Sequence, residues 1–202
     1  MRHAIILAHP RKDSFTARMA ATYAAAAESL GHAVDLRDLY AMDFDPCLQA
    51  DELPGPHAPT PRPDVVAERD RLASADVFAL VYPFWFNAPP AILKGYVERV
   101  LGHGFGFDSG PGGTTPRLDG RRLISLTASG APRAWVAQTG ALDGLVTGFD
   151  RYLCAMTGLR FVDHLHFGDI TPGLRPDVVQ TTLDSVRRSV AAAFADPPPG
   201  LP

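Results

Sequence analysis

The sequence predicts an α/β fold in which an open parallel sheet is covered by helices on both faces, and three observations carry that expectation. Short apolar runs alternate with amphipathic stretches at the spacing of βαβ units. One run, Val77 to Tyr82 (VFALVY), is apolar throughout, as a strand packed on both sides requires. Directly after it, three aromatic rings fall on a turn, Pro83-Phe84-Trp85-Phe86-Asn87, at the carboxyl end of a strand, where open α/β sheets bind ligands.

Taken in order, His3 to Ala8 reads as the first strand. Asp13 and Ser14 are good cap residues for an alanine-rich helix from Phe15 to Leu30, and Gly31 suits its C′ position. Ala33 to Leu39 is the second strand. Leu53 to Pro63 (LPGPHAPTPRP) holds too few apolar residues for an element and reads as a surface excursion. A short helix, Asp64 to Ser74, leads to the third strand, Val77 to Tyr82. Pro89 and Pro90 sit just before or in the first turn of the next helix, Pro90 to Leu101, where a missing N–H costs little. Gly102 to Gly120 carries seven glycines and no periodicity, so a long loop is expected. Arg122 to Thr127 (RLISLT) is the fourth strand, Leu142 to Thr157 a helix ended by Gly158, Arg160 to Phe167 the fifth strand, and Pro176 to Phe194 the last helix. Residues 1–195 would form one domain, with the proline-rich Asp196 to Pro202 a disordered tail. Five parallel strands with helices on both faces make the flavodoxin-like pattern. Its strand order 2-1-3-4-5 brings the loops after strands one, three and four together.

Composition narrows the function classes. With 46% hydrophobic and 20% charged residues the chain can bury a core of its own. The net charge is −3 with no basic run, so neither nucleic acid nor an anionic membrane surface is an expected partner. The apolar start, Ala4 to Ala8, is too short for a signal sequence or a membrane span, and no later apolar run reaches about 18 residues. A cytoplasmic protein without a membrane span is expected. Cys47 and Cys154 share no metal-ligand spacing, are too few for a disulfide framework, and read as packing residues.

The three converging loops carry the chemistry. His9-Pro10-Arg11-Lys12-Asp13-Ser14-Phe15-Thr16 runs into a helix whose first turn has unpaired N–H groups and a partial positive charge. It is either a phosphate seat, helped by Arg11 or Lys12, or simply a capped helix start. No GxxxxGK[ST] and no GxGxxG stands between a strand and a helix, so neither of those fingerprints supplies phosphate binding. In the aromatic turn, Pro83 holds the chain extended and Asn87 tolerates turn geometry, which favours backbone N–H groups facing a flat, polar-edged ligand over three ordinary core rings. Thr127-Ala128-Ser129-Gly130 offers small residues after the fourth strand, for close backbone approach or for a plain turn. His164 and His166 share a strand face, but no third ligand is placed near them, and no metal site is expected. The acidic cluster Asp43, Asp45, Asp51 and Glu52 reads as a solvated loop.

Four stretches, LAHPRKDSFT (7–16), RDLYAMDFDP (37–46), YPFWFNAPPAILKGYVERV (82–100) and LISLTASG (123–130), carry a resemblance to the NAD(P)H:quinone oxidoreductases of the flavodoxin-like fold, the DT-diaphorase-like group. The third stretch is the most specific, and the four occur in the family's order. The resemblance implies a homodimer with its active site at the subunit interface, FMN or FAD as cofactor, NAD(P)H as co-substrate, and a quinone or related acceptor reduced by two electrons. Residue by residue, it implies that Ser14, Phe15 and Thr16 hold the flavin phosphate with His9 beside them. Pro83, Phe84, Trp85, Phe86 and Asn87 would line the ring, and Thr127, Ala128, Ser129 and Gly130 would meet its pyrimidine end. Relatives carry a Tyr and a His after the fourth strand that assist developing charge. Here those positions are Trp135 and Ala141, leaving Arg133, Trp135 or the Ser129–Gly130 segment as the expected charge partner. The alternative role is a flavin-binding ancillary subunit of a potassium-efflux system. A receiver domain of the same fold is rejected, because His9 and Pro10 stand where its paired acids belong.

Overall fold

The computed structural model describes residues 1–55 and 59–195. The expected disordered tail, 196–202, and the middle of the proline-rich excursion lie outside the described residues. The sheet has five parallel strands in the order β2-β1-β3-β6-β7. They are β1 (Arg2–Leu7), β2 (Ala33–Asp38), β3 (Val77–Pro83), β6 (Arg122–Ala128) and β7 (Arg160–Phe167). Counted within this sheet the order is 2-1-3-4-5, the flavodoxin-like arrangement, and each strand ends within a residue of its expected place.

Strand pleating divides the core in two. Ala4, Ile6, Phe78, Leu80, Tyr82 and Leu123 face one side, toward α2 (Pro63–Leu72) and α3 (Ala91–Arg99). Ile5, Leu7, Val77, Ala79, Val81, Ile124 and Leu126 face the other, toward α1 (Phe15–Ser29) and α7 (Pro176–Phe194). Ser14 caps α1, its Oγ accepting from the Ala17 N–H at 3.1 Å. At the far end, Gly31 takes φ +77° and its N–H bonds to the Glu28 carbonyl, so the helix closes where the glycine permits a left-handed residue.

Three expectations need correction. The glycine-rich 102–120 segment contains a hairpin, β4 (Phe107–Gly110) and β5 (Gly113–Pro116), joined through Pro111–Gly112. With so few side chains to alternate, its period was invisible. The loop after β6 contains a short helix, α4 (Arg133–Gln138), which starts directly after Pro132. The single helix expected at Leu142 to Thr157 is α5 (Ala141–Leu145), a π-helical turn (Val146–Arg151) and α6 (Tyr152–Thr157). The two cysteines also differ: Cys154 is buried, as a packing residue should be, but Cys47 is exposed.

A buried ion network ties α2 and α3 to the segment before α2. Arg99 on α3 donates to Glu52 at 3.0 Å, to Asp64 at 2.9 Å and to the Asp45 carbonyl at 2.6 Å. Charges taken out of water survive only when paired and hydrogen-bonded, and here every nitrogen of the guanidinium has a partner. Gly95 allows this packing, since a Cβ there would stand 2.1 Å from the Pro46 carbonyl oxygen. Among the described residues no helix is long and apolar enough to cross a membrane.

Candidate functional site

The carboxyl ends of β1, β3 and β6 converge, as the strand order requires, on a cleft of about 300 Å³. One wall is the start of α1. The Phe15 and Thr16 N–H groups, at the first two helical positions, have no acceptor among the described residues, so they project a concentrated partial positive charge. His9 stands beside them, and its Nδ1 accepts the Arg11 N–H at 3.0 Å. The neutral ring therefore carries its proton on Nε2, and burial lowers the His9 pKa, which keeps the ring neutral. Arg11 is engaged by Asp13 in an exposed ion pair, so part of its charge is already answered.

The second wall is the aromatic turn. The Trp85 and Ala88 backbones bond to each other in both directions, at 3.3 and 2.9 Å, across a two-residue turn whose residues Phe86 and Asn87 both have positive φ, +50° and +57°. That is the φ pattern of a tight hairpin turn normally made by Asn and Gly. A phenylalanine there is strained, and its ring stands fully in solvent. The Phe84 and Trp85 amides are spent, on the Ala128 and Ala88 carbonyls, whereas the Phe86 and Asn87 N–H groups have no backbone acceptor among the described residues. Trp85 lies against His9, ring centroids 5.6 Å apart, and so joins the two walls.

The third wall is the segment after β6. The Ser129 N–H bonds to the Phe167 carbonyl, whereas the Gly130 N–H has no acceptor among the described residues. This segment is zipped to the one after β7: Asp169 N–H to the Ala131 carbonyl, Ile170 N–H to the Ser129 carbonyl, and Arg133 N–H to Asp169 Oδ2 at 3.2 Å. The contact is so close that a Cβ on Gly168 would stand 2.7 Å from the Arg133 nitrogen.

Of the residues singled out in the sequence, His9, Ser14, Phe15, Thr16, Pro83, Trp85, Ala128, Ser129 and Gly130 line this cleft. Phe84, Phe86, Asn87 and Trp135 line an adjoining hollow that shares Ser129 and Gly130 with it. Two residues stand apart. Thr127 is fully buried, its hydroxyl turned to His164 and His166, and Arg133 lines a separate cavity beside those same histidines. Arg133 is the first residue of α4, and the cavity it lines runs along β7. Sequence reasoning missed Ile170, Thr171 and Pro172, which complete the cleft from the loop after β7. The Gly168-Asp169 pair, a turn signal at a strand end, was the available clue.

Comparison with known proteins agrees with this architecture. A family described as having a flavodoxin-like fold matches residues 1–192. An uncharacterized NAD(P)H oxidoreductase of Haemophilus influenzae is 33% identical over 171 residues, covering 84% of this chain and 85% of that one. The rat NAD(P)H dehydrogenase (quinone) 1 is 31% identical over 153 residues, 64% of this chain and 54% of its own length. Among solved structures, an NAD(P)H:quinone oxidoreductase from Methanothermobacter marburgensis superposes with a TM-score of 0.83 at 25% identity, over 94% of this chain and 97% of that one. With its strand order, its three-walled cleft and these relatives, the chain belongs to the flavodoxin-like fold family, in the group named for NAD(P)H oxidoreductases and quinone reductases.

Proposed function

We propose that the protein is a flavin-dependent NAD(P)H dehydrogenase that reduces quinones or similar acceptors by two electrons. The observation that carries this reading is the pairing of unlike walls in one cleft. Free amides at Phe15 and Thr16, with His9, suit a phosphate, and free amides at Phe86, Asn87 and Gly130 suit the polar edge of a flat ring. FMN and FAD share both parts. When bound, a flavin supplies transfer of a hydride equivalent between nicotinamide and acceptor.

The chain's own residues bind and orient. The α1 amides hold the phosphate, each favourable contact with the helix terminus being worth about 0.3–1 kcal/mol, and His9 adds its Nε2–H. The strained turn fixes the Phe86 and Asn87 donors in place before any ligand arrives, which avoids an ordering cost at binding. The overall reaction, NAD(P)H and one proton with a quinone giving NAD(P)⁺ and a hydroquinone, also requires a group that can hold or deliver a proton at the cleft.

A homodimer belongs to this reading. Phe86 is wholly exposed, and Trp85, Trp135 and Tyr152 are 42%, 48% and 61% exposed. Tyr152 also borders an apolar cleft of about 420 Å³ between α3 and α6, lined in part by Leu53, Val97, Leu101, Phe149 and Met156. A monomer rarely leaves so much aromatic surface in water, and a second copy would cover it while closing the cleft from solvent.

The test is steady-state oxidation of NADH and NADPH with a water-soluble benzoquinone. Because nicotinamide and acceptor would use one cleft in turn, double-reciprocal plots are expected to be parallel. Absence of quinone-dependent oxidation with either nucleotide would overturn the assignment.

A further inference from the structure

The face of the sheet that carries α2 and α3 is mostly apolar, with two polar exceptions: Asp35 and Arg37 on β2, the latter paired with Glu68 of α2, and a seam along β6 and β7. The pleat of β6 sends Ser125 and Thr127 to that face, followed by Ser129 just beyond the strand, and the register sets His164 opposite Ser125 and His166 opposite Thr127. Asp150 reaches the seam from the π-helical turn, and its side chain is wholly buried. Such turns insert one residue into a helix and re-aim its neighbours, which is why they recur at functional sites.

These groups form one continuous chain. Asp150 Oδ1 accepts from Ser125 Oγ at 2.8 Å, and Oδ2 lies 2.5 Å from His164 Nδ1. His164 Nε2 is 2.8 Å from Thr127 Oγ1, and Thr127 Oγ1 is 2.9 Å from His166 Nδ1. His166 Nε2 is 3.2 Å from Ser129 Oγ, and Ser129 lines the cleft. Ser129 Oγ has a second acceptor, the Ala131 carbonyl, at 3.3 Å.

With both rings neutral, or with one added proton held on His164, donors and acceptors can be matched along every link in one arrangement each. In the first, all protons point inward: His164 Nδ1–H to Asp150, Thr127 O–H to His164 Nε2, His166 Nδ1–H to Thr127, and Ser129 O–H to His166 Nε2. In the second, with one proton more, they point outward: His164 is an imidazolium whose Nε2–H donates to Thr127, Thr127 donates to His166 Nδ1, His166 Nε2–H donates to Ser129, and the Ser129 proton is free for Ala131 or the cleft.

We propose that Asp150, His164, Thr127, His166 and Ser129 are a proton relay serving the cleft, with Ser129 as the catalytic terminus and the other four as positioning residues. The proposal rests on the quinone-reductase reading, whose reaction consumes one proton. Uptake runs as follows: a donor in the cleft gives its proton to Ser129 Oγ, the Ser129 proton passes to His166 Nε2, the His166 Nδ1 proton to Thr127, and the Thr127 proton to His164 Nε2. Four N–H or O–H bonds break and four form, and the charge comes to rest as an imidazolium against the Asp150 carboxylate. Delivery is the reverse. Burial, then His164 and Arg133, push His166 down to about 4, so charge passes through that ring without resting on it. The other ionisable groups around the seam stay silent. Burial and Asp150 hold the Tyr82 phenol well above its usual range and raise the Cys154 thiol to about 12, and the Arg133 guanidinium lines the cavity beside His164 and His166.

The test is ¹⁵N NMR of histidine-labelled full-length protein across its folded pH range, read with and without bound cofactor, alongside turnover. His164 and His166 are expected to change with one midpoint, His166 switching from the Nδ1–H to the Nε2–H tautomer as His164 becomes an imidazolium. Thr127→Val should separate the two transitions and lower kcat at least about tenfold with KM for NAD(P)H within about twofold. Thr127→Ser, which keeps the hydroxyl, should restore both. Independent titration of the two rings in the wild type, or unchanged kcat in Thr127→Val, would overturn the relay. Loss of the flavin reading would show separately, as absent turnover in the wild type, while the tautomer experiment still decides the relay.

Discussion

His3 shows how a single side chain ties stability to pH. It lies in β1 without solvent contact, its Nδ1 2.8 Å from the Tyr23 hydroxyl and its Nε2 3.1 Å from His32 Nδ1, with Phe194 edge-on to the ring. Burial, followed by the charge of His32, pushes its pKa down to about 4. His166 is lowered to about 4 by the same leading cause. Both folded values lie below the unfolded value of about 6.5, so between these limits the unfolded chain binds more protons. The stability due to each neutral imidazole is complete above about pH 6.5 and is lost as the pH falls toward 4, at up to about 1.4 kcal/mol per pH unit for each group. Urea midpoints should therefore drop between pH about 7 and about 5, and the drop should be shallower in His3→Gln. An unchanged midpoint over that interval would contradict this account. Neither histidine advertised this in the sequence: His3 stands among ordinary strand residues, and only the pairing of β6 with β7 shows what His166 touches.

At the scale of elements, the turn from Trp85 to Ala88 combines strain with position. The sequence showed three rings where a helix should begin. It did not show that Phe86 adopts φ +50°, because a phenylalanine in a left-handed turn contradicts local preference and persists only when the surrounding structure imposes it. Replacement by glycine should relieve the strain and raise stability by about 1 kcal/mol in urea unfolding, while weakening flavin retention, since the Phe86 and Asn87 donors would lose their fixed placement. Equal stability and equal retention in Phe86→Gly would contradict the idea that the strain serves the site. The other elements were legible in proportion to their side chains. Strands of continuous Val, Ile and Leu, the capped α1 and the amphipathic, proline-started α7 were readable to within a residue or two. The β4–β5 hairpin was hidden by glycine, α4 by its brevity, and the π-helical turn by the fact that an inserted residue leaves the overall helical pattern almost unchanged.

Across the whole molecule, topology decides what meets. Segments 9–16, 83–87 and 127–130 are far apart in sequence, yet the order β2-β1-β3-β6-β7 delivers them to one edge of the sheet. That much followed from strand count and pattern alone. The fourth contributor, Ile170 to Pro172, and the buried seam from Asp150 to Ser129 did not, since both depend on the register of the last strand. The Arg99 network matters at this scale too, because it holds α3, and with it the base of the aromatic turn, against α2 and the segment before it. The central claim is that the edge so formed holds a flavin. Its most direct test is to release whatever the purified protein carries by heat and identify it by mass: the account predicts FMN or FAD near one equivalent per chain. Protein that carries no flavin, and takes up neither FMN nor FAD when they are added, would contradict it.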